Sequence, residues 1–275
     1  MRARKWGMLS EFMLLAVFTF VLSKMSCAAV EQAGRLSDYL GLSKMAIGML
    51  IVGAMVALPE LSVAITSSAA GQGELTAGNV FGANVVLILF ALGICAIVYG
   101  LKVERKNLED VGFVLLLTFL ISMYMIFATQ IAGRPIGFLE GVGLYVIFGW
   151  YAAKMVIDKA VSKRKAGEDR AHFNTGIAGP RWLARMDAGG PATAIVFAAS
   201  VLAVYVSANI VVSSAISIAT ELGLAQSFIG ATLIALGTSL PEIMVGFEAI
   251  KRKMYGLALG DAMGSIMANI TIVLG

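Results

Sequence analysis

The stretch ALGTSLPEIM, residues 235–244, places a proline and a glutamate side by side within an otherwise apolar segment. A proline inside a helix removes a backbone hydrogen bond and clashes with the preceding turn. An ionised side chain at the centre of a bilayer costs at least about 2.5–3.5 kcal/mol. The pair therefore predicts a broken membrane helix whose carboxylate has a function.

The composition of the whole chain is that of a membrane protein. Hydrophobic residues make up 59% of the 275 residues and charged residues 14%, whereas soluble domains average about half apolar and about a quarter charged. Eight apolar windows can each cross a bilayer: roughly 9–31, 44–69, 77–99, 110–129, 135–157, 192–220, 226–250 and 257–275. Because these runs lack the alternation of β-strands, the sequence predicts an all-α integral membrane protein.

Lysine and arginine are distributed unequally between the two sides of these windows. Fourteen lie in the loops 32–43, 100–109, 158–191 and 251–256, and only four lie on the opposite side. The positive-inside rule makes the first set cytoplasmic and places the amino terminus outside, in a multi-pass protein of the plasma or cell membrane. The basic start MRARK favours the reverse orientation, but the majority of the loops outweighs it.

A displacement of 182 positions aligns two parts of the chain without a gap. It pairs Leu58-Pro59-Glu60 with Leu240-Pro241-Glu242, and it pairs Gly41, Gly78 and Gly82 with Gly223, Gly260 and Gly264. This match predicts two homologous modules, which contain the repeats at about 41–99 and 223–275.

The predicted modules are residues 1–157, with five spans, and residues 192–275, with three; the basic linker 158–191 separates them. Because five is odd, the second module must enter the membrane from the opposite face, which gives an inverted-topology repeat. If the second module were as long as the first, about two further spans would follow Gly275. The sequence is therefore expected to be a fragment.

Glu60 and Glu242 are the first candidates for a functional site. They lie beside Pro59 and Pro241, where a helix break exposes backbone carbonyls. Ca²⁺ and Na⁺ bind carboxylate, carbonyl and hydroxyl oxygens, and broken membrane helices provide such groups at the midplane. Two carboxylates there can neutralise one Ca²⁺ or two Na⁺. The alternative is a pair of protonated carboxylic acids with a structural role.

The last window, LALGDAMGSIMANI, contains a polar stripe. Asp261, Ser265 and Asn269 recur every four residues, which places them on one face of a helix. A packing interface is the competing interpretation, because Gly260 and Gly264 allow another backbone to approach closely. Both interpretations can hold, since close approach would carry the stripe to the site.

The motifs together resemble a known family. GTSLPE followed by ALGDAMGS, with the earlier ALPE followed by AGNVFGAN, is similar to the two α-repeats of the cation/Ca²⁺ exchanger superfamily, whose best-known members are Na⁺/Ca²⁺ exchangers. The resemblance implies ten helices in two inverted halves, with ion ligands on the second and third helices of each half. The ligands that it implies here are Glu60, Asn79, Asn84, Thr238, Ser239, Glu242, Asp261, Ser265 and Asn269.

The first repeat departs from the family pattern. Val56 and Ala57 stand where hydroxyl residues are expected, and Ala83 and Leu87 correspond to Ser265 and Asn269. Burying a cation without oxygen ligands is costly. Fewer bound ions per cycle, or protons in place of Na⁺, are therefore expected, and Asp261 can restore part of the lost charge.

Three functions fit these features: a Ca²⁺/Na⁺ antiporter, a Ca²⁺/H⁺ or other cation/H⁺ antiporter, and a degenerate scaffold or sensor without transport. An enzyme is not expected, because there is no nucleotide loop or nucleophile elbow and the one histidine, His172, lies in the linker. Cys27 and Cys95 lie in apolar windows and predict neither a disulfide nor a zinc site. The expected partners are membrane lipid and small cations, with no cofactor and no nucleic acid.

Overall fold

A computed structural model describes residues 2–69, 71, 73–100, 105–128, 137–163, 190–223 and 239–275. The α-helices in these ranges are α1 Arg2–Leu40, α2 Lys44–Ile47, α3 Gly53–Val56, α4 Leu58–Ala69, α5 Gly73–Val86, α6 Cys95–Tyr99, α7 Arg105–Ile126, α8 Phe138–Lys163, α9 Gly190–Glu221, α10 Leu240–Lys251 and α11 Tyr255–Ala268. Three π-helical stretches are π1 Gly48–Val52, π2 Leu87–Ile94 and π3 Asn269–Val273.

The described residues contain seven helical segments that are long and apolar enough to cross a membrane. They are Met8–Leu40, Lys44–Thr66, Thr76–Val98, Asn107–Ile126, Phe138–Ile157, Pro191–Glu221 and Tyr255–Val273. Each corresponds to a predicted window. The remaining window, 226–250, lies outside the described residues up to position 238, and its later part is α10. The all-α membrane fold is confirmed.

Two helices extend beyond the predicted apolar windows. Helix α1 already begins at Arg2, before the predicted window of roughly 9–31. Helix α8 continues to Lys163, six residues into the predicted linker 158–191, and α9 begins at Gly190. Hydropathy marks where a chain leaves the apolar layer, whereas a helix of good helix formers continues into the polar region. Linker residues 164–189 lie outside the described residues.

The element boundaries recur 182 positions later. Helices α4 and α10 both have 12 residues, α5 and α11 both have 14, and each member of a pair begins at the equivalent position. Gly41 and Gly223 follow α1 and α9 with φ angles of 68° and 77°. Equal lengths at equivalent positions support the sequence repeat, and the inverted orientation of its second copy stays a prediction.

Each proline begins a new helix. Ala57 has φ −77° and ψ 3°, and the equivalent Ser239 has φ −93° and ψ 7°, so the chain leaves the helical conformation just before α4 and before α10. Proline is tolerated in the first turn, where its missing N–H has no helical partner. The glutamate next to it lies at the positive end of the helix dipole. The proline therefore causes no defect within α4 or α10.

Helix α11 lies in the interior of the described structure, and every residue from Leu257 to Ala268 is buried. It packs backbone against backbone on the segment made of α2, π1 and α3. A Cβ atom on Gly53 would lie 2.7 Å from the backbone nitrogen of Ser265, and one on Gly264 would meet the backbone of Met49. The predicted close approach at Gly260 and Gly264 is confirmed, and it carries the polar face of α11 inward.

Candidate functional site

Glu60 and Glu242 lie in equivalent first turns, of α4 and α10 respectively. Each has only 2% of its surface exposed. Glu60 is close enough to Glu242 to act on it electrostatically. In each carboxylate the Oε2 atom is buried without a hydrogen-bond partner among the described residues. The two helix breaks therefore bring two buried acids together.

The polar face of α11 contacts both repeats. The Ser265 hydroxyl donates a hydrogen bond of 3.3 Å to the carbonyl oxygen of Gly53, in the turn before the first helix break. Asn269 Nδ2 donates a bond of 3.0 Å to Asn84 Oδ1 on α5. Asp261 is buried and acts electrostatically on Glu242. The structure thus places the stripe against the elements that carry the other candidates.

The remaining candidates divide into three cases. Ser239, in the turn before α10, is fully buried, and its hydroxyl oxygen has no partner among the described residues. Asn79 is only half-buried on α5, so it differs from the other candidates. Thr238 lies outside the described residues.

Several buried oxygen atoms at these positions lack a hydrogen-bond partner in the described part of the chain. They are Glu60 Oε2, Ser239 Oγ, Glu242 Oε2, Asp261 Oδ1 and Asn269 Oδ1. A buried polar atom without a partner costs about 1–3 kcal/mol, so a concentration of them requires a physical reason. Oxygen atoms are the ligands that Na⁺ and Ca²⁺ prefer.

Among the described residues, no three His, Cys, Asp or Glu side chains are placed so that they could hold one metal ion together. The acids alone therefore do not complete a coordination shell. A cation between Glu60 and Glu242 would need hydroxyl, amide or backbone carbonyl oxygens as further ligands. Ser239 and the carbonyls beside the helix breaks have this chemistry.

The departures in the first repeat are buried hydrocarbon. Val56, Ala57, Ala83 and Leu87 all lie in the protein interior. The first repeat thus lacks oxygen atoms at four positions where the family pattern expects them. Asn84, one residue after Ala83, contributes an amide that bonds to the second repeat instead.

Sequence reasoning missed a second buried polar group, which does not include Glu60 or Glu242. Arg252 follows α10 and is buried against Glu248 of α10 and Glu31 of α1. The spacing of four residues between Glu248 and Arg252 is a detectable signal for a helical ion pair. Its approach to Glu31 has no local signal, because the two residues are far apart in the sequence.

The family is decided by a comparison of the chain with known sequences. The sequence model described as "Sodium/calcium exchanger protein" matches residues 10–156 and 192–275, most of the chain. The chain belongs to the sodium/calcium exchanger family. The predicted resemblance is confirmed, and this family member is an integral membrane transporter of small inorganic cations rather than an enzyme.

Individual relatives agree with this membership. The sodium/calcium exchanger MaX1 of Methanosarcina acetivorans is 26% identical over 292 aligned positions, which cover 96% of this chain and 81% of the relative. The putative antiporter CaxA of Alkalimonas amylolytica is 30% identical over 250 positions, which cover 90% and 73%. A solved structure of the sodium-calcium exchanger NCX_Mj matches with a TM-score of 0.78 at 24% identity, covering 97% of this chain and 81% of that one. At this identity the structural likeness shows the fold.

Proposed function

We propose that this protein is a secondary antiporter that exchanges Ca²⁺ for Na⁺ at a site between Glu60 and Glu242. The observation that carries the proposal is the proximity of two buried acids from equivalent helix breaks, each with one oxygen that has no hydrogen-bond partner in the described part of the chain. Their combined charge of −2 matches one Ca²⁺ or two Na⁺. Because the two cargoes would occupy the same carboxylates, binding of one excludes the other, and this competition couples their movements.

Neutral oxygens complete the proposed site. Ser239 lies about one turn before Glu242, and its buried hydroxyl oxygen, which has no hydrogen-bond partner among the residues described, is a proposed cation ligand. Ser265 and Asn269 extend the site along α11, with Asn84 opposite Asn269. Thr238 and Asn79 are further proposed ligands, on the family pattern. Asp261, buried on α11 and close enough to act electrostatically on Glu242, is a further proposed ligand.

The charges of the two site carboxylates provide a reason for alternating access. With no cation bound, two buried carboxylates are costly to carry through the apolar barrier. Only the loaded site would therefore cross at a useful rate, as the two repeats rock around it. We place this exchange in the cell membrane, with the amino terminus outside and the linker 158–191 in the cytoplasm, in accordance with the distribution of lysine and arginine.

Exchange of Ca²⁺ for H⁺ is the second candidate. It is favoured by the buried apolar side chains at positions 56, 57, 83 and 87, which remove oxygen ligands for Na⁺. Protons need only the carboxylates themselves, so a site poor in oxygen suits them better than Na⁺.

The experiment is ⁴⁵Ca²⁺ transport by the purified protein in proteoliposomes, with Na⁺ and pH gradients imposed separately. Uptake driven by the Na⁺ gradient alone supports the first candidate, and uptake driven by the pH gradient alone supports the second. Glu60→Gln and Glu242→Gln should each abolish uptake, whereas Glu109→Gln, at an exposed carboxylate of α7, should leave it intact. Normal uptake by both site variants would show that the site is misplaced. An absence of ⁴⁵Ca²⁺ binding by the native protein would favour a scaffold without transport.

A further inference from the structure

The side chain of Arg252 links two distant parts of the chain. Its Nε atom donates a 2.8 Å hydrogen bond to Glu248 Oε1 on α10, and its Nη2 atom donates a 2.6 Å bond to Cys27 Sγ on α1. Its Nη1 atom lies 3.8 Å from Glu31 Oε2, also on α1. We refer to Cys27, Glu31, Glu248 and Arg252 as the Arg252 network. One guanidinium thus attaches α1 to the turn between α10 and α11.

The network is buried, which makes its partners energetically important. The Arg252 and Glu31 side chains are 6% and 8% exposed. Glu31 also forms an ion pair of 2.9 Å with Arg35 within α1, and Arg252 pairs with Glu248 within its own segment, so each charge keeps one partner if α1 separates from the turn. Separation would still remove the Arg252–Glu31 ion pair and the Arg252–Cys27 hydrogen bond, both largely shielded from solvent, which opposes it. The planar fork of arginine also holds several acceptors in a fixed geometry. The network therefore favours one arrangement of α1 relative to α10 and α11.

The network joins the two repeats, and the equivalent positions, on α9 and at and after the end of α4, lack its charged residues. Displacement by 182 residues brings Cys27 and Glu31 to Asn209 and Ser213, and brings Glu248 and Arg252 to Thr66 and Ala70. All four of these residues are uncharged.

The described polar side chains at these equivalent positions bond within their own helices. Asn209 donates to Tyr205 O at 3.0 Å and Ser213 to Ile210 O at 3.0 Å, both within α9. Thr66 donates to Ser62 O at 2.9 Å within α4. The ion-paired attachment is thus present at one of two equivalent contacts between the repeats, that of α1 with the turn after α10.

This asymmetry has a consequence for alternating access, and the argument rests on the proposed antiport. In a transporter made of two inverted repeats, the two access states arise by rocking of one repeat against the other around the site. Two identical halves would make these states equal in energy. An ion-paired contact present at only one of two equivalent places between the repeats removes that equality.

We propose that the Arg252 network biases the access equilibrium toward the state that is closed to the cytoplasm. The network joins helices at the ends that the charge distribution places on the cytoplasmic side, next to the basic turn 251–256. While it is formed, α1 stays against the α10–α11 turn and the cation site opens preferentially to the outside. The cargo has no part in this bias, which therefore holds for either exchanged cation.

Side-specific affinity tests the proposal. Apparent affinity from one side falls in proportion to the population of the state open to that side, so a loss of bias must weaken Ca²⁺ binding from outside and strengthen it from the cytoplasm. In oriented proteoliposomes, Glu31→Gln should change the ratio of the two apparent affinities by about tenfold. The matched control is Ser213→Ala, at the equivalent position of the other repeat, which should leave the ratio unchanged. Equal weakening on both sides, or no change in the ratio, would overturn the proposal.

The thiol of Cys27 gives a second readout that does not depend on transport. In a Cys95→Ser background, release of α1 should expose Cys27, and its alkylation by N-ethylmaleimide should become about fivefold faster in Glu31→Gln than in the protein with Glu31 retained. An unchanged alkylation rate would contradict the proposal even if affinities shift. Should the native protein fail to transport any cation, the proposed function fails, while alkylation still decides whether the network holds α1.

Discussion

Helices α5 and α11 occupy equivalent places in the two repeats and have the same length, but the described residues around them differ. Every residue of α11 from Leu257 to Ala268 is buried, whereas Gly78 and Gly82 of α5 are exposed in the described structure. The glycines of α11 lie directly on the backbone of α2 and π1. A Cβ atom added to Gly78 or Gly82 would meet nothing described within 4 Å. The segment equivalent to α2 and π1, residues 226–234, lies outside the described residues, so whether α5 meets a matching backbone there is a question for experiment.

The helix breaks differ in their chemistry. Ser239 precedes α10 and offers a hydroxyl, whereas Ala57 precedes α4 and offers none. The second repeat supplies most of the candidate oxygen atoms, while the first supplies Glu60 and the amide of Asn84. A shared backbone has thus been kept while the side chains of the two repeats have diverged. Paired substitutions at equivalent positions can test how far this division extends.

The largest effect is expected at Gly264. In Gly264→Ala the new Cβ would meet the backbone of Met49, with Met49 Cα 2.6 Å away, and a backbone contact cannot move aside like a flexible side chain. Overpacking of this kind costs about 1–3 kcal/mol or more. We expect a marked loss of monodisperse protein in thermal size-exclusion measurements.

Gly82→Ala is the matched variant for Gly264→Ala. No described atom would meet its Cβ atom, and alanine favours a helix over glycine by about 1 kcal/mol. The positions equivalent to Met45 and Met49, 227 and 231, lie outside the described residues, so a clearly smaller loss than in Gly264→Ala is the result expected if α5 is packed differently from α11. Equal losses in the two variants would mean that α5 and α11 are packed alike after all.

A smaller effect is expected from the pair Asp261 and Asn79, which are equivalent in the two repeats. Asp261→Asn removes a buried negative charge that acts on Glu242. Apparent Ca²⁺ affinity should fall about tenfold, which corresponds to about 1.4 kcal/mol. Equilibrium ⁴⁵Ca²⁺ binding measures it.

The converse substitution, Asn79→Asp, serves as the comparison for Asp261→Asn. It adds a charge at a half-buried position, where solvent screens it, so affinity should change much less. If Asn79→Asp raised the apparent Ca²⁺ affinity by more than Asp261→Asn lowered it, the cation would lie nearer to α5 than proposed.

Adding hydroxyl side chains to the first repeat should have a still smaller effect, on the apparent affinity for Na⁺. Ala83→Ser and Ala57→Ser introduce hydroxyls at the positions equivalent to Ser265 and Ser239. If Na⁺ is limited by missing ligands, each variant should lower the half-saturating Na⁺ concentration for ⁴⁵Ca²⁺ efflux by about twofold to fivefold, the effect of one polar interaction. Ala91→Ser, at a buried alanine of π2 with no candidate ligand as its equivalent, is the control. No response to Na⁺ in any variant would favour protons as the exchanged ion.

Much of the fold could be predicted from the sequence because its signals are local. Apolar windows identify the spans, and the two Leu-Pro-Glu motifs locate both helix breaks. Hydropathy does not define the ends of helices, and α1 continues from the predicted end at residue 31 to Leu40. The polar residues near the end of α1, Glu31, Gln32 and Ser37, are buried. Average hydropathy over a window of sequence cannot reveal such burial.

The candidate residues of the site could be named from the sequence, but the hydrogen bonds between them could not. Asn84 and Asn269 were expected as separate ligands, yet they form a hydrogen bond with each other. Arg252 was expected in a solvated loop, because a basic turn between spans is usually exposed. Its burial depends on Cys27 and Glu31 of α1, which approach only in the folded protein. Such tertiary contacts leave no periodic signal in the sequence.

The smallest expected effect concerns Lys253 and Gly71, which end α10 and α4 at equivalent positions. Both adopt left-handed backbone conformations, with φ of 59° and 72°. This conformation costs a residue with a Cβ atom about 1 kcal/mol that glycine does not incur. Lys253→Gly should therefore raise the thermal midpoint in detergent by a few degrees, and Gly71→Ala should lower it by a similar amount. Lys253→Ala removes the charge but keeps the strain, so a gain in that variant would mean that charge, rather than backbone conformation, limits the second repeat.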